Sequence, residues 1–405
     1  MTAIIGVLNK HAVAIAADSA ATLGGGRKVM NTANKLFALS KYYPVAIAVY
    51  GNAELLGTPW EVIIKEYRKK LGNTFYNTLK EYVDDFLTFL KDSNYFCTSD
   101  EASAFLKIAF NGFIQHLIQI NKQDPTSALN EIAQIETLAS SGFLDGFNDD
   151  DFRFVQTELD TEIKNGQTRL QKAGIMVELS RLQLVAGVLF THKGVSLPQA
   201  AGLVFTGYGE QEYFPSLFDC KVNVVVNGKL AIEKGVRAII DKNNVSSICP
   251  FAQTDVMQTI LDGVSPLMRD VYMGCMGKTI EKIKKVIAKE IETVSPAKAS
   301  IIRSLDTRPF LSDFISLSQK VQQQKYTMPF VMSVANLEKE DLADFAESLV
   351  TLTSLKRKVS LDQETVGGPV DVMLISKGDG VIWKKRKHYF NPEINHHFFS
   401  NYYNH

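Results

Sequence analysis

Residues 2–19 constrain the fold of this chain most. Thr2-Ala-Ile-Ile-Gly-Val-Leu-Asn9 and Ala12-Val-Ala-Ile-Ala-Ala-Asp18-Ser19 are two apolar runs of strand length, joined across Lys10-His11. A polar tip between such runs predicts a β-hairpin whose first strand starts at residue two. Chain termini are usually loose, so the sequence reads as having no leader or arm ahead of the fold. A small second residue lets the initiator methionine be removed. Thr2 would then carry a hydroxyl and a free α-amine together, a nucleophile beside a base.

Composition narrows the class. The 405 residues are 45% hydrophobic and 22% charged, ordinary for a globular chain with a large core. Lys+Arg and Asp+Glu both number 44, so no global positive field argues for a nucleic-acid partner. Cys97, Cys220, Cys249 and Cys275 are far apart with no CxxC pair, as expected of reduced thiols in a cytoplasmic protein. No apolar stretch approaches the roughly 20 residues of a membrane span, and the N-terminus lacks the pattern of a secretory signal. His388, His396, His397 and His405 read as part of a solvated tail, not a metal site. Gly24-Gly25-Gly26 lacks the ending of a phosphate-binding loop, and Asn148-Asp-Asp-Asp151 lacks EF-hand spacing, so each reads as a surface break. No cofactor is called for.

Strands occupy residues 2–50, return at 202–241 with an Asn227-Gly228 hairpin turn, and close at 371–385 across Lys377-Gly-Asp-Gly380. Helical periodicity marks 52–70, 74–92, 251–263, 266–294 and 337–357, and Thr98-Ser-Asp-Glu101 forms a capping box. The basic run Lys278–Lys285 reads as a surface face. The sum is an α+β chain in one folding unit. Its core covers about 2–94, 196–264 and 336–392, with helical insertions at 95–195 and 265–335 and a tail at 393–405.

Several segments together resemble proteasome β-subunits and the related bacterial ATP-dependent peptidase, which are N-terminal-nucleophile hydrolases. Thr2, Ala16-Ala-Asp18-Ser-Ala-Ala-Thr22 and Asn34-Lys35-Leu-Phe are similar to the N-terminal third of that family. The lysine falls one residue later than usual. Ala46-Ile-Ala48-Val-Tyr50-Gly51 is similar to the strand-to-helix turn that supplies an oxyanion donor; Ala48 stands where the family has glycine. Ser246-Ser247-Ile-Cys-Pro-Phe-Ala resembles the loop of an auxiliary serine, placing Ser247 in that role without the family's flanking glycines. Asp362-Gln-Glu-Thr365-Val-Gly-Gly368 resembles the loop that supports the amine through Asp362 and Thr365, with Val366 as one extra residue. About half of the chain is covered.

The resemblance implies a four-layer αββα sandwich and a threonine protease active once Met1 is gone. Threonine is a poor nucleophile, so a base must take its proton. An α-amine titrates at about pH 8 in free peptides, close to working pH. Lys35 would keep that amine neutral and stabilise developing alkoxide, Asp18 would hold Lys35, and Ser247, Asp362 and Thr365 would fix the amine. The Ala48 N–H would face the oxyanion. Ala21, Thr22, Ala46 and Tyr50 would line the substrate pocket. The substrate would be a peptide or another amide, and homo-oligomers and an unfoldase partner fall within the family's range. Two other readings stay open: a catalytically silent scaffold or binding protein, and a hydrolase of small non-peptide amides.

Overall fold

The computed structural model describes residues 2–23, 28–92, 98–195, 197, 200–360, 366–388 and 390–397. The Gly24–Gly26 turn, Cys97, Asp362 and Thr365 lie outside the described residues. In chain order the first elements are β1 (Ala3–Asn9), β2 (Val13–Ala17), β3 (Ala21–Leu23), β4 (Lys28–Met30), β5 (Leu36–Ala38), β6 (Val45–Gly51), β7 (Glu54–Leu55) and β8 (Thr58–Pro59). Helices follow: α1 (Trp60–Leu71), α2 (Leu79–Asp92), α3 (Ser99–Gln123), α4 (Ser127–Thr137), α5 (Asp149–Glu158), α6 (Asp160–Lys172) and α7 (Leu179–Thr191). Next come β9 (Ala201–Gly207), β10 (Ser216–Val226), β11 (Lys229–Ile239) and β12 (Ser246–Ala252). The chain continues through α8 (Asp255–Asp262), α9 (Pro266–Glu292), α10 (Pro296–Ser304), α11 (Arg308–Gln322), α12 (Met328–Val334) and α13 (Lys339–Val359). It closes with β13 (Asp371–Ser376) and β14 (Gly380–Lys385).

The fold is mixed α and β with antiparallel sheets. One five-stranded sheet has the order β12-β1-β2-β13-β14, the other β11-β10-β9-β6-β5. Strand residues alternate between faces, and β1 shows the consequence. Ile4 and Leu8 pack with Ala48, Val204 and Leu217 of the other sheet. Ile5 and Val7 pack on the opposite side with Leu342, Ala346 and Leu349 of α13. Gly6 faces Leu217, where a Cβ would lie 2.6 Å from its side chain. On the second sheet Ile47, Leu203 and Phe205 pack with Trp60, Tyr67 and Phe86 of α1 and α2.

The hairpin turns and the capping box form where the sequence places them. Asn227 and Gly228 take φ of 51° and 73°, as a two-residue turn of this kind requires. Thr98 Oγ1 accepts from Glu101 N at 3.3 Å, and Glu101 accepts from Thr98 N at 2.8 Å. Residues 251–263 differ from expectation: the helix begins only at Asp255, and Ser246–Ala252 is a strand paired with β1. Pro250 obscures that strand in the sequence, yet an edge position tolerates a proline that lacks an N–H. The two helical segments differ in kind. Helices α3–α7 pack around Phe110, Ile132, Val155 and Leu189 in a core that takes in Val224 and Val226 of β10, whereas α9, α10 and α11 bury between them only Ala288 and Ala299. No helix among the described residues is long and apolar enough to cross a membrane.

Candidate active site

The hairpin register pairs Ile4 with Ala17, which sets Thr2 and Ala3 across from Asp18 and Ser19. Asp18 N donates to Ala3 O at 3.1 Å, and Ala3 N donates back to Asp18 Oδ1 at 2.9 Å. The same oxygen accepts from Lys35 Nζ at 2.6 Å. One shared oxygen therefore holds the lysine ammonium within two hydrogen-bond lengths of the amide that joins Thr2 to Ala3. The other oxygen, Oδ2, accepts from Ala20 N and from Gly367 N, each at 3.1 Å.

The Asp18 side chain is fully buried and that of Lys35 is 7% exposed. Taking such a pair out of water costs several kcal/mol, tolerable only when every lone pair is engaged. Three backbone donors and one ammonium meet that requirement. Burial pushes the Lys35 pKa below the usual lysine value, the nearby Lys387 charge lowers it further, and Asp18 and Asp371 oppose both.

Two further segments bond to this end of the hairpin. After the Asp362–Thr365 stretch, Gly367 O accepts from Ser19 N at 3.0 Å and Pro369 O accepts from Ser19 Oγ at 2.6 Å. Gly368 has φ +75°, and a Cβ there would lie 2.8 Å from Asn31 O. On the other flank Gln253 N donates to Thr2 O at 3.1 Å. The Gln253 side chain is held by Arg357 Nε at 2.6 Å, and Arg357 also donates to Asp255 at 2.6 Å. Ala252, opposite Ala3, sits at φ +63°. That left-handed conformation is costly for a residue with a Cβ, and such strain tends to gather at functional sites. Thr2 itself is 7% exposed.

Not every residue expected at the site is there. Ser247 pairs with Leu8, at the opposite end of β12 from the Ala3–Ala252 pair. At about 3.4 Å per residue it stands six positions along β1 from Thr2, with its Oγ 3.4 Å from Cys249 Sγ. The register of β12 overrides the sequence assignment, and the end of β12 beside Thr2 carries Gln253. Ala46 and Ala48 face the core between the sheets. Ala48 lies between Leu36 of β5 and Val204 of β9. Tyr208 N donates to Pro44 O and Asn52 N to Ala200 O, while Val49 N donates to Lys35 O. In an antiparallel sheet these bonds alternate, so the Ala48 N–H points to Val204 and belongs to the ladder. Tyr50 is half-buried, its ring over Gly202 and its hydroxyl donating to Asp219 at 2.9 Å. Burial and the Asp219 carboxylate push that phenol above the usual tyrosine range. Ala21 and Thr22 lie in β3, opposite Met30 and Val29.

One neighbour had no role in the sequence reading. Asp371 opens β13 opposite Ala17, one position before Asp18. It accepts from Lys387 N at 2.8 Å and from the Lys387 ammonium. The only signal for it is an aspartate directly after Gly-Gly-Pro-Val, at the start of an apolar run.

No protein-family model matches this chain. No curated protein matches it in sequence. Among solved structures the chain is similar to Anbu (ancestral beta-subunit) from Yersinia bercovieri, at 10% sequence identity over 98% of this chain and 94% of that one, with a TM-score of 0.28. A likeness at that score carries no argument about the site.

Proposed function

We propose that this protein is a threonine-type N-terminal-nucleophile hydrolase of amide bonds, built on a four-layer αββα sandwich. The observation that carries the reading is the single Asp18 oxygen that accepts both Ala3 N and Lys35 Nζ. It fixes a buried cation beside the first strand, where a base at Thr2 would need to stay neutral. With Met1 removed, the Thr2 hydroxyl attacks the substrate carbonyl while its proton passes to the α-amine. That proton then goes to the leaving nitrogen as the C–N bond breaks. Water cleaves the resulting ester and regenerates Thr2. Peptides are the first substrate class to test, with small amides assayed alongside.

Two features favour a second reading, a silent relative that binds without turnover. The Ala48 N–H would have to leave its ladder to meet an oxyanion, and Ser247 stands too far away to assist the amine.

Intact-mass spectrometry with a peptide epoxyketone decides between them, because that warhead links a hydroxyl and an adjacent amine together. A chain lacking Met1 that gains one adduct, lost in Thr2→Ala, supports the hydrolase. A Met-less chain that gains none, and turns over neither peptides nor small amides, supports the silent reading.

A further inference from the structure

Residues 265–335 are poorly covered. About half of the exposed large apolar side chains among the described residues lie there, Leu267, Val271, Val294, Ile301 and Leu317 among them. Against these, the same stretch buries only Ala288, Ala299 and Val334. Apolar surface on this scale marks an interaction site in a soluble chain. Charge indicates what covers it. Residues 265–335 hold 11 Lys+Arg against 6 Asp+Glu, a net +5. Residues 95–195 hold 8 against 13, a net −5. The basic residues are ordered: Lys278, Lys282, Lys285 and Lys289 are all exposed and recur at helical spacing along one face of α9. The first three border an open groove with Leu311 and with Glu281, which is paired to Lys284. The acidic segment presents Asp145, Asp149 and Asp150, all exposed around one turn, with Asp145 paired to Lys193 at 3.0 Å and Asp150 to Arg153 at 3.7 Å.

Within one chain the two insertions pack elsewhere. Helices α3–α7 pack on one another and on β10, while α9–α12 pack on one another, on α8 and on β12. We propose that a second copy of this chain covers the basic insertion, with α9 of one copy docking on the acidic insertion of the other. The apolar side chains supply the buried area, and the opposed charges set orientation and exclude contact between two basic faces. The contact joins two different surfaces, so one copy still has a free insertion to offer the next. This inference does not depend on Thr2 chemistry.

Sedimentation of the full chain over a wide concentration range tests it. The expected result is a mass above that of one chain, with association weakened as salt screens the charges. Lys282→Glu with Lys285→Glu weakens association at least about tenfold, and so does Asp145→Lys with Asp150→Lys. Mixing the two double variants restores association, because one copy then offers an acidic α9 to a basic turn. Circular dichroism checks that both variants fold. A single-chain mass at every concentration overturns the proposal. Association indifferent to both reversals does so too, as does binding to anionic lipid vesicles without self-association.

Discussion

Asp18 is the residue on which most of the site depends. Its carboxylate is the common acceptor for β1, for Lys35 and for the segment at Gly367. Asp18→Asn leaves a buried ammonium without its counter-charge, and breaking a buried pair costs about 3–5 kcal/mol. Urea unfolding of that variant should show a loss of this size, and a loss under about 1 kcal/mol would contradict the buried-pair geometry. Lys35 adds a pH signature. Its folded pKa lies below the usual 10.5, so between the two values the unfolded chain binds the extra proton. The cost of burying the charge stands in full below the folded pKa and fades as pH rises toward 10.5. Stability curves against alkaline pH should therefore carry an upward contribution that is missing in Lys35→Met. Ala252 gives the opposite kind of test, because its φ of +63° suits glycine. Ala252→Gly removes about 1–2 kcal/mol of strain and gives back part of it as unfolded-chain entropy. A net gain of about 0.5 kcal/mol is expected, read as a higher denaturation midpoint.

At the scale of elements, strand pairing explains where local reading succeeds and where it stops. The β1–β2 and β10–β11 hairpins have their turn chemistry written between their strands, and their register follows from it. Strand β12 has no such marker: its partner β1 is more than two hundred residues away, and its proline argues against a strand. The close contact of β9 with β6 is another pairing product. Gly202 lies under the Tyr50 ring, where a Cβ would come within 1.9 Å of it. Gly202→Ala must displace the ring and break its hydrogen bond to Asp219. Overpacking of this kind costs about 1–3 kcal/mol, measurable as a lower midpoint, and an unchanged midpoint would mean that Tyr50 is free to move aside.

The whole molecule combines two sheets with one helical segment, α3–α7, that packs on itself and on β10, and another, α9–α11, that buries little. The first segment packs around Phe110 and Leu189 in a core shared with Val224, Val226 and Ala231 of β10 and β11, so it contributes to stability within one chain. The second contributes little, and its ends meet: Gln322 Nε2 donates to Asp262 O at 2.5 Å, and Thr327 Oγ1 to Asp262 Oδ1 at 3.4 Å. Replacing α9–α11 with a short Gly-Ser linker should change the unfolding free energy of the isolated chain by less than about 1 kcal/mol. Epoxyketone labelling at Thr2 should survive the replacement while self-association disappears. A chain that no longer folds would instead assign this insertion a place in the core.

What the sequence by itself determined is local or short in range: the opening hairpin, the Asn227-Gly228 and Asp379-Gly380 turns, and the capping box. These follow from alternation and turn chemistry, which neighbouring residues carry among themselves. Tertiary pairing decided the rest. It set Gln253 rather than Ser247 beside Thr2, because one register runs the length of β12. It committed the Ala48 N–H to Val204, because two flanking strands fix the parity of β6. It also buried Asp371 with Lys387 close to the Asp18–Lys35 pair. Each of these joins residues from distant parts of the chain, and no periodicity within either segment encodes the pairing.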